Sequence, residues 1–227
     1  MKLWNGLQVK EYQAKLNEMQ PVINERKDEM IAMIKDQSAL SDIDNSKLSA
    51  VFVWAGVMLF AMSVAFILSK CILSSIIGLF VTKFYGIILA YTIMPALAYY
   101  YITTPIEGDA NLVDRLRRFR LLGVALAEGA LNGFLLCERA IPGVPPPASL
   151  CAFSVGLMPV LASSTIGNDR MKLIGVTVGG AFVMDLAIGC VTGLSAGFLV
   201  LCVLYSAAGF VILQIYLKKG KAEAVNF

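Results

Sequence analysis

Histidine is absent from this chain of 227 residues, and charged side chains make up only 15% of it. Without histidine, the chain lacks the commonest general base and the commonest zinc ligand of enzymes. Short catalytic motifs such as the P-loop, GxSxG and HExxH do not occur either. We therefore expect no enzymatic activity, no metal site and no cofactor.

Cysteine pairs at metal-binding or redox spacing are also missing. The five cysteines are scattered within or beside apolar runs, and none belongs to a CxxC pair. Buried thiols in helices are therefore expected, rather than disulfides or metal ligands. The basic residues form no continuous stripe, which argues against a nucleic acid partner.

Apolar residues dominate the chain, at 58% of the total. A helix needs about 20 apolar residues to cross a bilayer, and about six runs approach that length. They predict an all-α, polytopic membrane helix bundle of about six transmembrane helices, preceded by an amphipathic N-terminal helix. The expected spans are 49–69, 84–104, 119–136, 148–166, 171–190 and 194–217.

The spans divide the chain into three parts. Residues 1–48 are expected to form a cytosolic amphipathic helix and hinge, 49–217 the transmembrane bundle and 218–227 a cytosolic basic tail. Pro159 predicts a kink inside the fourth span. The stretch 71–82 is too short to cross a bilayer alone. We expect it to extend the first span or to form an interfacial link.

Basic residues cluster after every second apolar run. The clustered residues are Arg115, Arg117, Arg118, Arg120, Arg170, Lys172, Lys218, Lys219 and Lys221. Because a chain threading a membrane alternates sides, the clusters lie on one face, and Lys and Arg are retained on the cytoplasmic face. These nine residues and two more, Lys35 and Lys47, make eleven, against three on the other face (Lys70, Lys83 and Arg139). The charges predict an integral membrane protein with both termini in the cytoplasm.

Residues 7–35 carry apolar side chains at spacings of three and four, which predicts an amphipathic helix that Pro21 kinks or restarts. The stripe consists of Val9, Tyr12, Leu16, Met19, Ile23, Met30, Ile31 and Ile34. Two interpretations stay open. The helix lies against the membrane or the bundle, or it docks a partner protein.

Two carboxylates interrupt the spans. At a rise of 1.5 Å per residue, Glu128 and Asp185 lie roughly 12 and 20 Å beyond the nearest basic residue. Ionisable groups at bilayer depth cost about 2.5–3.5 kcal/mol on insertion scales, so both are candidate functional residues. Facing each other, they would bind a cation or relay a proton, with Asn132 and Gln214 as partner groups. The alternative is that each is a neutral, hydrogen-bonded packing residue.

Glycines spaced four residues apart place small residues on single helix faces, which lets helices approach closely in lipid. The pairs are Gly129 with Gly133, Gly175 with Gly179, Gly189 with Gly193, and Gly193 with Gly197. Intrachain packing is expected, and an oligomer interface is the alternative. The oligomeric state is left open.

Short patterns in the C-terminal half carry a family resemblance. An arginine-rich lead precedes Leu121-Leu-Gly-Val-Ala-Leu and Glu128-Gly-Ala-Leu-Asn-Gly-Phe, and Ala152-Phe-Ser-Val-Gly follows a proline-containing turn. With Ala208-Gly-Phe-Val-Ile-Leu-Gln near the end, this half resembles the Bax inhibitor-1 family, the transmembrane Bax-inhibitor-motif proteins. The resemblance implies a protein of the endoplasmic reticulum or another endomembrane that restrains cell death and influences calcium leak.

The chain departs from that family at its pH-sensing pair of aspartates. The first position matches Gln214, which cannot ionise, and the seventh hydrophobic segment that holds the second is lacking. Three functional hypotheses follow. The protein is a Bax-inhibitor-like regulator of cell death and stress that acts through membrane partners, a proton or cation channel using Glu128 and Asp185, or a structural subunit of a membrane complex docked through residues 7–35.

Overall fold

The protein is a bundle of helices. A computed structural model describes residues 13, 19–32, 35, 44–139, 145–167 and 169–225, which contain eight helices and no strand. The helices are α1 (19–32), α2 (Asn45–Phe80), α3 (Lys83–Thr103), α4 (Ala110–Leu135), α5 (Ser149–Leu161), α6 (Ser163–Ile166), α7 (Arg170–Thr192) and α8 (Ala196–Val225). The predicted all-α class is confirmed.

Four of these helices, α2, α3, α7 and α8, are long and apolar enough to cross a membrane. They correspond to the predicted first, second, fifth and sixth spans. The predicted third span lies in α4, which begins at Ala110 and also includes the arginine cluster. Length and composition therefore support four spans directly, rather than the predicted six.

The predicted fourth span, 148–166, consists of two helices, and the interruption lies three residues after Pro159. α5 continues through Pro159 and breaks at Ala162, where φ is −113° and ψ is 26°. Proline contributes no amide hydrogen to the helical ladder, which weakens the last turn of α5. The remainder of the predicted span is the single turn α6.

The segment 71–82 continues α2 as far as Phe80. The helix passes through a π turn at Ser69–Leu73, and two residues separate its end from α3. The ring of Phe134, near the end of α4, would lie 3.4 Å from a Cβ atom added at Gly78 and 3.3 Å from one added at Gly86. The whole of α2, 36 residues, would measure about 54 Å as a straight helix. Because its last part packs beside the end of α4, the segment 71–80 lies at one end of the bundle. It is therefore an extension of the first span.

α2 is the central helix of the bundle. It packs along α4 on one side and along α5 on the other. α3 packs on α4, whereas α7 and α8 pack on α5 and on each other. The buried core joins α2 to the second group, and its members include Leu48, Phe52, Val155, Leu173, Leu213 and Leu217.

Glycines bring α2 and α4 into backbone contact. A Cβ atom added at Gly129 would collide with the carbonyl oxygen of Met62, and one added at Gly133 would collide with that of Phe66. At the same contact, the Ser69 hydroxyl donates a 2.5 Å hydrogen bond to the carbonyl of Ala130. Intrachain packing is confirmed for this glycine pair.

The glycine pair in α7 behaves differently. Added Cβ atoms at Gly175 and Gly179 would meet no described atom within 4 Å. The intrachain packing predicted for this pair is therefore wrong within the part of the chain described, because this face of α7 points away from its neighbours.

A three-residue turn joins α7 to α8. Gly193 has a φ of +107°, a conformation that favours glycine, and it ends α7. The Ser195 hydroxyl accepts a 3.1 Å hydrogen bond from the amide of Phe198 and so caps the start of α8. The turn, 193–195, carries no charged side chain.

Candidate functional site

Every residue of α1 is exposed. Met19, Val22 and Ile23 have exposed fractions of 57%, 53% and 53%, and the helix is unbroken across Pro21. A helix lying against the bundle would bury its apolar stripe, so α1 does not lie against the bundle; the alternative that it lies against the membrane stays a prediction. Four residues of the predicted stripe lie outside the described residues: Val9, Tyr12, Leu16 and Ile34.

The exposed side chains of α1 separate into two faces. At 100° per residue, one arc of about 100° holds Met19, Val22, Ile23, Arg26 and Met30. Asn24 and Ala32 lie on the opposite side. Three acidic and two basic residues give α1 a net charge of −1. α1 is therefore an amphipathic helix whose apolar face no described residue covers.

The arginine cluster lies where α3 ends and α4 begins. Arg117 donates a hydrogen bond to the carbonyl of Thr104, and the guanidinium of Arg120 lies 5.5 Å from the ring centroid of Tyr101. Arg118 pairs with Asp114 at 2.8 Å, and Arg115 lies 6.0 Å from the ring centroid of Phe119. These contacts spread the cluster around the first turns of α4.

The other basic groups are less concentrated. Lys172 pairs with Asp169 at 3.8 Å, and Lys218 is exposed; the side chains of Lys219 and Lys221 lie outside the described residues. At the other end of α4, Lys83 pairs with Glu138 at 2.5 Å, and Lys70 donates a 3.3 Å hydrogen bond to the carbonyl of Arg139. The three basic residues predicted for the far face, Lys70, Lys83 and Arg139, thus lie near the end of α4 that is remote from the arginine cluster.

Arg170 and Gln214 meet inside the bundle, and their exposed fractions are only 1% and 2%. The Gln214 side-chain oxygen accepts a 2.9 Å hydrogen bond from Arg170 Nε and a second one from Arg170 Nη2. These groups link the first turn of α7 to α8. The basic pattern predicted Arg170 at a membrane end, but no local signal predicted this partner, which is 44 residues away.

Glu128 and Asn132 lie together on α4, on the side that faces α3. Tyr91 donates a 2.8 Å hydrogen bond to Asn132 Oδ1, and Asn132 Nδ2 donates one of 3.0 Å to the carbonyl of Glu128. Asn132 therefore joins two helices. No pattern in the sequence marks Tyr91 as a polar contact.

Asp185 is buried in α7, with an exposed fraction of 1%. α7 packs on both α5 and α8, so this carboxyl group is buried in the part of the bundle that these three helices form. Its Oδ1 has no hydrogen-bond partner among the described residues.

The polar groups therefore fall into separate places. Gln214 bonds to Arg170, Asn132 bonds to α3, and no hydrogen bond or ion pair between described residues joins Glu128 to Asp185. A conducting pair requires the two carboxylates to face a shared path, but α4 packs on α2 and α3, whereas α7 packs on α5 and α8. The geometry gives the hypothesis of a proton or cation channel no support.

Comparison with protein families gives one match. A family model described as "Interactor of ZYG-11" matches residues 6–227 of the chain. No curated protein and no solved structure matches.

This match corrects the resemblance to the Bax inhibitor-1 family. The family is a different one, so the functions expected from that resemblance, control of cell death and of calcium leak, are wrong as well. The glycine-rich pattern that begins at Glu128 has a structural explanation, because Gly129 and Gly133 let α4 touch the backbone of α2. Small residues at this spacing recur wherever membrane helices pack closely, so they report packing rather than ancestry.

The resemblance rested on about half of the chain, whereas the family match includes α1 and all the other helices. The chain belongs to the family of interactors of ZYG-11.

Proposed function

We propose that this protein is a non-enzymatic, membrane-anchored binding partner of ZYG-11 and that α1 forms the contact. The exposed apolar face of α1, in a chain whose family description names ZYG-11, is the observation that carries the proposal. Amphipathic helices commonly bind proteins by laying such a face into an apolar groove of the partner.

The charge of α1 favours a protein partner over the membrane surface. Helices that lie on a bilayer are typically rich in Lys and Arg, because the cytoplasmic leaflet is negatively charged. α1 has a net charge of −1, so its electrostatic attraction to that leaflet is absent. Its apolar face therefore needs a different cover, and a groove on ZYG-11 would provide one.

Anchoring in a membrane is supported by the surface of the other helices. Large apolar side chains such as Val191, Phe80 and Leu79 have exposed fractions of 87%, 84% and 80%. Large apolar side chains are exposed on α2, α3, α5, α7 and α8; apolar surface on a soluble monomer is usually limited to small patches, whereas lipid tails would cover these side chains. We propose six passes, in which α4 and the broken pair α5 and α6 complete the set formed by α2, α3, α7 and α8.

The proposed orientation puts the arginine cluster in the cytoplasm. By the positive-inside rule, both termini are then cytoplasmic, and residues 1–48 and 218–227 flank the bundle on that side. α1 is then accessible to a cytoplasmic partner. The endoplasmic reticulum followed only from the incorrect resemblance and is not part of the proposal.

Binding of ZYG-11 is tested with the purified full chain in lipid nanodiscs and purified ZYG-11, by biolayer interferometry. The variant Val22→Asp/Ile23→Asp places two charges on the apolar face. Fully burying one such side chain contributes about 1.5–3 kcal/mol, so we expect affinity to fall at least about tenfold.

The matched control is Asn24→Asp/Ala32→Asp, which adds the same two charges on the other side of α1. We expect it to change affinity by less than about twofold. Equal losses in the two variants would show that charge, not the apolar face, matters. Absence of binding by the unmodified chain would refute the proposed function.

The proposed topology has a separate test. In a cysteine-free background, Ser46→Cys, Lys218→Cys and Arg139→Cys are labelled in sealed vesicles with a membrane-impermeant maleimide. We expect Ser46→Cys and Lys218→Cys to react from the cytoplasmic side, and Arg139→Cys only after permeabilisation. Labelling of all three from one side would refute the six-pass arrangement.

A further inference from the structure

An open cavity of about 800 Å³ lies between the start of α2, the end of α5 and the first turns of α4. Its polar lining residues are Asn45, Ser46, Ser49, Arg118 and Ser163, and its apolar ones include Val53, Trp54, Leu157 and Val160. The cavity thus combines one cation and several hydrogen-bonding groups with an apolar wall.

Arg118 is only partly satisfied by the protein. Its Nε bonds to Asp114 Oδ2 at 2.8 Å, and its side chain has an exposed fraction of 33%. Asp114 is the one ion-pair partner of Arg118 among the described residues. A planar guanidinium can bind a carboxylate along one edge and a phosphate through its remaining donors.

The start of α2 does not supply the binding groups. Asp44 already accepts hydrogen bonds from the amides of Ser46 and Lys47 at 3.0 and 3.2 Å. An anion in the cavity would therefore depend on Arg118 and on the hydroxyls of Ser49 and Ser163.

The position of the cavity indicates what kind of anion would reach it. It opens at the end of the bundle that holds the arginine cluster, which we assign to the cytoplasmic face of the membrane. Trp54 lies in its wall, and tryptophan is enriched at the level of lipid headgroups. Apolar side chains below Arg118 suit the upper part of an acyl chain.

We propose that this cavity binds one membrane phospholipid, with the phosphodiester on Arg118 and the first carbons of an acyl chain against Val53, Leu157 and Val160. The proposal rests on membrane anchoring but not on binding to ZYG-11. Basic sites between helices on the cytoplasmic side are a known way to hold anionic headgroups.

The test uses the full chain in detergent, with Trp4→Phe so that only Trp54 fluoresces. Dihexanoyl phosphatidylserine, kept below its micellar concentration, is titrated while the emission of Trp54 is followed. We expect saturable binding that Arg118→Gln weakens at least tenfold. Arg120→Gln removes the same charge from the same helix but on the side of Tyr101, and we expect it to change affinity less than twofold.

Two further ligands identify what is bound. Dihexanoyl glycerol has the chains without the phosphate, and inorganic phosphate has no chains; we expect each to bind at least tenfold more weakly. Phosphate binding as tight as that of the lipid would refute a lipid site in favour of a free anion site. If Arg118→Gln and Arg120→Gln lost affinity for the lipid equally, the binding would reflect only the overall positive charge of this end of α4. That result would also refute the proposal.

A second variant covers the case in which Arg118→Gln does not fold. Val160→Phe fills the cavity without a change of charge and without a second tryptophan, whereas Val203→Phe adds the same bulk at an exposed position outside it. We expect loss of binding in the first variant only. A chain that does not remain associated with vesicles would refute membrane anchoring itself, whereas an anchored chain without saturable binding would refute only the lipid site.

Discussion

The contact between α2 and α4 is tested by replacing single glycines of α4 with alanine. At Gly129, the new Cβ atom would overlap the carbonyl oxygen of Met62 and would lie 2.9 and 3.0 Å from its carbonyl carbon and Cα atom. These are backbone atoms, so no change of rotamer relieves the overlap and the two helices must separate. At Gly123, in the same helix, no described atom lies within 4 Å of the added Cβ.

The two positions share one effect and differ in the other. Alanine is a better helix former than glycine by about 1 kcal/mol, and both variants gain that amount. Only Gly129→Ala suffers overpacking, which costs about 1–3 kcal/mol. The difference in unfolding free energy between the two variants therefore measures the collision alone, and we expect about 1–3 kcal/mol.

The measurement is reversible unfolding in mixed micelles, with SDS as denaturant and circular dichroism as the signal. We expect Gly123→Ala to unfold at the same or a higher SDS fraction than the unmodified chain, and Gly129→Ala at a lower one. Gly133→Ala should resemble Gly129→Ala, because its Cβ would meet the carbonyl of Phe66. If Gly129→Ala were as stable as Gly123→Ala, the close approach of α2 and α4 would be refuted.

Two further predictions use the same unfolding assay. Ser69→Ala removes the buried hydrogen bond to Ala130 and should lower the unfolding free energy by about 0.5–1.5 kcal/mol. The control is Ser63→Ala, because the Ser63 hydroxyl is exposed and bonds within its own helix; it should cost less than about 0.5 kcal/mol. Equal costs for the two variants would contradict the role of Ser69. Gln214→Leu removes the acceptor of two hydrogen bonds from the buried Arg170 and should lower the unfolding free energy by about 1.5–3 kcal/mol. Gln214→Glu retains an acceptor and should lower it less. A larger loss for Gln214→Glu than for Gln214→Leu would contradict this pairing.

The sequence predicted those features of the fold that depend on transfer from water to lipid. The sequence shows α2, α3, α7 and α8 as apolar runs. The free energy of transferring such a run from water to lipid is a sum over the residues of that run alone, so the local sequence is enough to predict it. Pro159 likewise marked the segment in which α5 breaks, at Ala162, whereas no local pattern predicted the π turns. A pattern within one segment does not contain that information.

The same distinction applies to the polar residues. The spacing from Lys172 placed Asp185 deep within an apolar run, and its side chain is buried between helices. Whether it would face Glu128 depended on which helices are neighbours, and the two carboxylates belong to different groups of helices. The amphipathic pattern of 7–35 likewise predicted an apolar face on α1 but not what would cover it.

The short turn between α7 and α8 has a consequence for how the protein is made. Only three residues separate the two helices, and none of them is charged. As the chain leaves the ribosome, the two helices can therefore form one hairpin whose turn crosses the lipid without the transfer of a charged side chain. We expect them to enter the membrane in a single step, as a pair, after the arginine cluster has fixed which side the chain starts from. The order of synthesis would then set the orientation first and close the bundle last.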